Sequence, residues 1–561
     1  MAGAEIYHFW TDTQYDQWRH ASVGSGKEMS DLSADCGLNI THAAVDRHAG
    51  GVSADRAALR WPAASGDRIE LTYADLQEES SRFAGVLTEL EVKSGEVVAA
   101  YLGRIPALYV TALGAWRARC VFCPLFSDFG PEPVVHRLAI GRAVVLVTTA
   151  HLYRLNVAGL RNRLPHLRHV LLADEDSVQE NDTAPLPHLM SAAPAFFPIA
   201  FTDPEDRASL HFTSGTTGMP KGAVHVHDAA RYLDQTGKEV FDFHSTDVFW
   251  CTADPGWITG TSYGIIAPLV HGITSIVDRE AFDVRRWYRI LAQEKVSVWY
   301  TSPSAIRRLM RAEISPRDTY DLGALRLICS VGEPLHAGAV HWAERTLGLP
   351  VVDTWWQTET GGIMISAAAA PQIRPGSMGW PLHGIEAAVV RRAEDGAVIG
   401  SAAPEEVGEL VLKSGWPSLF REYLQAPEAY ARCFTGGWYL TGDLVRRDPD
   451  GYFWFVGRAD DIIKTAGHLV SPFEVESVLM DHPAVSEAAV IGTPDPLTGA
   501  RVKAFVMLKP GREADEPLRR SLIGHARSHL GPAIAPREIE FAADLPKNKA
   551  GKIVRRLLRN E

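Results

Sequence analysis

Residues 211–227 read HFTSGTTGMPKGAVHVH, and the fold turns on how this stretch is read. Leu210, His211 and Phe212 have the character of a strand end. Thr213, Ser214, Gly215, Thr216, Thr217 and Gly218 then form a loop of hydroxyls and glycines, and Lys221-Gly222 leads into an apolar run. Glycines let backbone N–H groups turn toward an anion, hydroxyls add donors and metal-binding oxygens, and Lys221 adds a positive charge. A Walker A loop needs G-x-x-x-x-G-K-[ST], whereas here Gly215, Gly218 and Lys221 are each three residues apart. Taken alone, the loop fits a surface turn before a strand as well as it fits a phosphate cradle. His225 and His227 alternate, so on a strand they share a face. No further Cys/His group stands at ligand spacing, so they read as packing or hydrogen-bonding residues rather than a metal pair.

Outward from this stretch, helical and strand-like segments alternate. Leu76 to Leu90 has apolar residues at helical spacing, and Trp287 to Glu294 is helical again. Val144 to Val147, Val170 to Leu172, Val296 to Tyr300 and Leu325 to Val331 are short runs of buried-strand type. Such alternation predicts an α/β fold with the chemistry on loops at strand ends. The run 438–457 predicts β-hairpins, with a turn at Asp448-Pro449-Asp450-Gly451. Beyond it, Pro472 to Met480 and Leu518 to Leu530 predict helices, and Val485 to Ile491 and Arg501 to Leu508 predict strands. The expected division is residues 1–457 and 458–561, the second a compact α+β unit of about 100 residues.

With 561 residues, an apolar fraction of 46% and a charged fraction of 22%, the chain has ordinary globular composition. Its net charge, 56 − 68 = −12, argues against nucleic acid and anionic membranes as main partners. Six cysteines are too few for a disulfide scaffold, and the Cys120/Cys123 pair reads as two buried thiols. The N-terminus lacks a basic-then-apolar signal. The charge-free run 255–277 carries prolines, glycines and hydroxyls, so it reads as strand, loop and helix of a soluble core rather than a membrane span. The expected location is the cytoplasm.

Four further stretches carry chemistry. Ser330-Val331-Gly332-Glu333-Pro334 is a tight turn after an apolar strand. Asp353-Thr354-Trp355-Trp356-Gln357-Thr358-Glu359 sets two tryptophans on opposite sides of a strand, one for the core and one for a pocket wall, and offers Glu359 as a hard ligand for Mg²⁺. Tyr439 to Asp443, with Gly457-Arg458, supplies a carboxylate for ribose hydroxyls and a guanidinium for ribose or phosphate. The last, 545–553, reads LPKNKAGKI and places Lys552 before a basic segment.

In this order, TSGTTGMPKG, SVGEPL, DTWWQTETGG, YLTGD with GRADD, and PKNKAGK resemble the adenylate-forming superfamily of acyl-CoA synthetases, luciferases and adenylation domains. WCTADPGWITGTSYG, SVGEPL, DTWWQTETGG and PGSMG are similar to its acetyl-CoA synthetase branch. The resemblance runs from about Asp46 to the C-terminus. It implies a large N-terminal domain of two α/β subdomains plus a small β-barrel-like part, and a small mobile α+β C-terminal domain hinged near Asp460. It implies ATP, Mg²⁺ and coenzyme A as cofactors. Thr213 to Gly218 and Lys221 would hold the ATP phosphates, Gly332, Glu333 and Pro334 would border adenine, and Asp353, Thr354 and Trp355 would stand beside it. Gln357 and Thr358 would flank the α-phosphate, Glu359 and Thr213 would serve the metal, and Asp443 and Arg458 would take the ribose. Lys552 would bridge carboxylate and α-phosphate during adenylation. The loop from Lys464, with Ala466, Gly467 and His468, would serve CoA after the domain turns.

In that branch the acyl pocket wall matches Ile258, Thr259, Val331 and Trp356, which implies acetate as the acid. The chain has Ala466-Gly467-His468-Leu469 where the branch has Ser-Gly-x-Arg, with Lys464 as the remaining cation. The departure leaves open propionate or another short acid and a non-CoA acceptor; a non-catalytic nucleotide sensor is a further alternative, against which the intact Lys552, Glu359 and Asp443 argue. An acetyltransferase and deacetylase acting on Lys552 are further expected partners, because acetylation removes the charge that adenylation needs.

Overall fold

The computed structural model describes residues 37–63, 68–174, 182–213, 220–312, 314–393, 396–459, 461–465, 468–495, 499–532, 534–547 and 553–559. Strands such as Val97–Leu102 and Val145–Thr148 are apolar along nearly their whole length and are buried, as a sheet covered on both faces requires. They lie in an eight-stranded sheet whose centre, Val121–Phe126, Val97–Leu102, Val145–Thr148 and His169–Leu172, is parallel. The opening stretch supplies two strands at one side of it, β1 (Arg207–Thr213) and β2 (Lys221–Val226). They pair antiparallel, and their register sets Thr213 opposite Lys221.

A nine-stranded sheet follows. Its parallel strands include Val248–Cys251, Val298–Thr301, β3 (Leu327–Ser330) and β4 (Val351–Trp355). Helix α1 (Pro303–Arg311) leaves the end of Val298–Thr301, capped by the Ser302 hydroxyl, which accepts from Ala305 N at 3.2 Å. The two sheets share one apolar core, with Val98, Ala100 and Leu102 from the first and Phe249, Val298 and Tyr300 from the second. Helix Tyr73–Glu89 packs there too, started by a reciprocal cap between Thr72 and Asp75.

The run 255–277 departs from its expected order. It forms a buried helical stretch over 258–270 and only then a strand, Thr274–Ile276, with Gly272 at φ +67° between them. Gly260 marks a close approach rather than a loop: a Cβ there would stand 2.3 Å from the Asp254 carbonyl.

The third part of the N-terminal region is six antiparallel strands, among them β5 (Trp438–Arg447) and β6 (Phe453–Arg458), joined through Asp448 to Gly451 as expected. It is an open sheet, not a barrel. Its apolar face is covered by Trp355, Met364 and Ile365, so it has no need to close on itself. After β6 come α2 (Pro472–Asp481), β7 (Val485–Asp495), Gly499–Leu508, helix Glu516–Leu530 and Glu538–Phe541. These have a core of their own, built from Val475, Leu479, Val490, Val506 and Leu522. Among the described residues no helix is long and apolar enough to cross a membrane.

Candidate active site

The end of β4 organises the site. Trp355 and Trp356 diverge, as alternation on a strand demands. Trp355 joins the core under the third sheet, and its Nε1 donates to Asp443 Oδ2 at 3.0 Å. Trp356 turns the other way: its Nε1 donates to the Tyr300 hydroxyl at 3.1 Å, and its ring meets Tyr263 edge-on with centroids 5.2 Å apart. It packs against the cluster containing Val331. Ile258, buried, and Thr259 open the helical stretch that carries Tyr263. Val331 and Trp356 thus share one cluster, while Ile258 and Thr259 stand on the helical stretch whose Tyr263 meets the Trp356 ring.

Asp443 is 4% exposed. Arg458 Nη1 donates to its Oδ1 at 2.8 Å, and Gln357 Nε2 donates to its Oδ2 at 2.9 Å beside Trp355. The Tyr439 hydroxyl donates to Gln357 Oε1 at 2.7 Å and so fixes that amide. The stretches DTWWQTE and YLTGD, 88 positions apart at Trp355 and Asp443, therefore meet.

Asp353 accepts from the Ser330 hydroxyl at 2.8 Å, and Thr354 donates to the Ser330 carbonyl at 2.7 Å. Burial pushes the Asp353 carboxyl up to about 7, against the pull of the Ser330 bond. Beyond β3, Gly332 sits at φ +94°, a left-handed conformation that glycine adopts without strain. Glu333 next to it does not point free: Arg307 Nη2 donates to its Oε2 at 2.6 Å and Ser304 Oγ to its Oε1 at 2.5 Å. Pro334 completes this turn, partly exposed.

Glu359 accepts from the Tyr423 hydroxyl at 2.5 Å, and Lys221 Nζ lies 5.1 Å from the centre of the Tyr423 ring. Lys221 faces Thr213 across β1 and β2, so Thr213, Lys221, Tyr423 and Glu359 form one chain of contacts. Burial and the charge of Glu359 push the Tyr423 hydroxyl up, which keeps it a donor. Mg²⁺ binds through one or two protein oxygens plus substrate phosphates and waters; the Glu359 carboxylate, held by one phenol, fits that demand, and Thr213 is linked to it only through Lys221 and Tyr423. The segment 357–362, which includes Thr358, is clamped by Trp416 Nε1 and Ser418 Oγ on the Thr360 carbonyl, at 2.9 and 2.7 Å. His225 Nδ1 lies 3.0 Å from the Ser418 carbonyl, and the Ile40 amide donates to His227 Nδ1 at 3.1 Å, in line with a structural role for both.

Ser214, Gly215, Thr216, Thr217, Gly218, Asp460, Ala466, Gly467 and Lys552 lie outside the described residues. For Lys464 and His468 only the backbone is described, in the paired strands Ile463–Thr465 and His468–Val470. Sequence reading passed over Tyr423 and Arg307. Neither belongs to a local motif; each acts on a motif residue distant in the chain.

A family model described as AMP-binding enzyme matches residues 45–424, and one described as AMP-binding enzyme C-terminal domain matches 474–552. The acetyl-coenzyme A synthetase of Bacillus subtilis is 41% identical over 93% of this chain and 90% of its own length. That of Pyrobaculum aerophilum is 38% identical over 93% and 82%. Among solved structures, the anthranilate CoA ligase AuaEII in complex with anthranoyl-AMP superimposes with a TM-score of 0.85 at 29% identity, covering 95% of this chain and 98% of that one. The acyl-CoA synthetase of Brucella canis does so with a TM-score of 0.72 at 32% identity over 99% and 98%. The chain belongs to the AMP-binding enzymes of the adenylate-forming superfamily.

Proposed function

We propose that the protein is an AMP-forming acetate–CoA ligase. The acetate carboxylate attacks the α-phosphorus of ATP, giving acetyl-AMP and pyrophosphate; the CoA thiol then displaces AMP, giving acetyl-CoA. The observation that carries the choice of acid is Trp356, whose indole is anchored on Tyr300 and Tyr263 at the end of β4. An indole across the end of the pocket is expected to leave room for one or two carbons. One methylene is worth about 1–3 kcal/mol, so propionate is the poorer substrate rather than an excluded one. The names borne by the relatives support the same acid.

The nucleophile is ionised at pH 7 and needs no base; catalysis is positioning and charge stabilisation. Thr213 to Gly218 and Lys221 hold the leaving pyrophosphate. The turn 332–334 with Asp353, Thr354 and Trp355 borders adenine, Gln357 and Thr358 flank the α-phosphate, and Asp443 with Arg458 holds ribose. Glu359 and Thr213 hold Mg²⁺, which when bound neutralises phosphate charge. Lys552 spans the two reacting anions. The unit after residue 458 then turns about Asp460 and brings Lys464 and the 466–468 loop to the thiol. The reading carries with it a cytoplasmic location, where ATP and CoA are both supplied. An acetyltransferase that modifies Lys552 would silence adenylation, and a deacetylase would restore it; acetyl-Lys552 with full activity would refute this.

The test is a panel of acids from two to eight carbons, with AMP and thioester measured with and without CoA. Acetate-dependent AMP and acetyl-CoA are expected. Reaction only with acids longer than four carbons defeats the pocket assignment. AMP release without CoA moves the reading to another acceptor, and ATP binding without pyrophosphate exchange moves it to a sensor.

A further inference from the structure

Glu487, on β7, is a carboxylate on a mostly apolar strand, with 3% of its side chain exposed. Its cations come from two distant parts of the chain. Lys547 Nζ, from the same C-terminal region, donates to Oε2 at 2.6 Å. Arg311 Nη2, from α1, reaches Oε2 at 3.0 Å and the Ser486 carbonyl at 3.1 Å. Arg307 Nη2, one helical turn earlier, lies 4.0 Å from Oε1. That same guanidinium nitrogen holds Glu333 on the 332–334 turn at 2.6 Å. Lys547 and Ile553 form a bridge across the segment that carries Lys552.

A buried ion cluster is a weak source of stability, because desolvation offsets most of the attraction. Its use is selectivity among arrangements. Glu487 has its full set of partners only where β7 rests on α1. Were β7 to leave α1, the carboxylate would keep Lys547 and gain water, while Arg307 would keep Glu333. The cluster could thus be satisfied in either arrangement, with Arg307 belonging to both.

Resting on the proposed adenine role of the 332–334 turn, we propose that Arg307 is a positioning residue that couples this turn to the C-terminal unit. ATP seated on the turn holds Glu333 and Arg307 in place, Arg307 with Arg311 docks Glu487, and the docked orientation is the one used for adenylation.

Two readouts test the coupling. In the first, acetate-dependent pyrophosphate exchange is compared with acetyl-CoA formation from supplied acetyl-AMP. Glu487→Gln is expected to lower exchange about tenfold and Arg311→Ala about threefold, with thioester formation held within about twofold. Arg307→Lys is expected to retain more exchange than Arg307→Ala. Arg311 is half-buried at the end of α1, so its truncation is expected to spare the fold even where Glu487→Gln does not. Equal loss in both half-reactions, or no loss in Arg311→Ala, overturns the proposal. In the second, hydrogen exchange of residues 485–490 is followed as ATP is added. ATP is expected to slow it in the native chain and not in Arg307→Ala; ATP binding that leaves 485–490 unchanged in the native chain also overturns it. Absence of acetate-dependent exchange with ATP protection intact defeats the acid assignment and leaves the coupling standing.

Discussion

Arg458 and Asp443 stand opposite each other on β6 and β5, and the guanidinium closes on the carboxylate at 2.8 Å. Trp355 and Gln357 take the other oxygen. Asp443→Asn keeps the shape but removes the charge and turns an acceptor toward a donor. Charge-assisted bonds of this kind are worth about 1.5–3 kcal/mol, so the KM for ATP is expected to rise by about 10- to 100-fold. Arg458→Lys should move it the same way by less, since a point charge replaces a fork. Steady-state titration of ATP and of acetate separates the cases; an effect on acetate alone would remove both residues from the nucleotide site.

Trp356 lies just beyond β4, anchored on Tyr300 and Tyr263 and packed, partly buried, against the core, so it can be truncated without tearing a core strand apart. Trp356→Gly is expected to shift preference toward acids of four or more carbons, by about 10- to 200-fold per matched methylene in relative kcat/KM. The acid panel reads this directly, and an unchanged preference order removes Trp356 from the pocket wall.

The alternation of segments made the α/β class legible, because buried parallel strands such as Val145–Thr148 are apolar throughout and helix Tyr73–Glu89 shows its period and its cap. The opening stretch alone left turn and phosphate loop equally open; what its sequence does not show is that Lys221 lies against Tyr423 and, through it, near Glu359, a contact that supports the proposed phosphate role. The stretch 258–270 was misread because glycine and hydroxyl content signals loops locally, while here Gly260 serves close packing against Asp254. The barrel-like expectation failed for a tertiary reason: a neighbouring core covers the sheet face. Arg307 and Tyr423 were invisible because their partners, Glu333, Glu487 and Glu359, are distant in sequence.

Tyr423 donates to Glu359 at 2.5 Å and fixes which way that carboxylate points. Partners of this kind are worth about 10- to 100-fold in metal affinity or activity. Tyr423→Phe is therefore expected to raise the Mg²⁺ concentration for half-maximal activity by roughly tenfold, with kcat largely recovered at saturating metal. Glu359→Gln should not be recovered by metal. A Mg²⁺ titration of both variants checks this; an unchanged Mg²⁺ requirement in both would place the metal elsewhere.

Acid stability follows from buried histidines. Burial holds the imidazoles of His48, His211, His225, His227 and His336 down at about 4, 3, 4, 3 and 3. Their contribution is fully present above the ordinary value near 6.5 and is lost as pH falls toward the folded values, because the unfolded chain takes up protons that the folded chain refuses. Burial also pushes Asp353 up to about 7 and Asp254 up to about 6. These two carboxyls take protons first in the folded state and so offset two of the five histidines between pH 6 and 4. The lowered histidines outnumber these two carboxyls, so stability is expected to fall as pH drops through that window. Among the described residues neither ring nitrogen of His211 finds a hydrogen-bond partner, so His211→Phe is expected to leave stability at pH 7 equal or higher and to lower the acid slope by about 1.4 kcal/mol per unit. Urea unfolding from pH 7 to 4 measures both chains, and parallel curves would show that His211 takes its proton in the folded state.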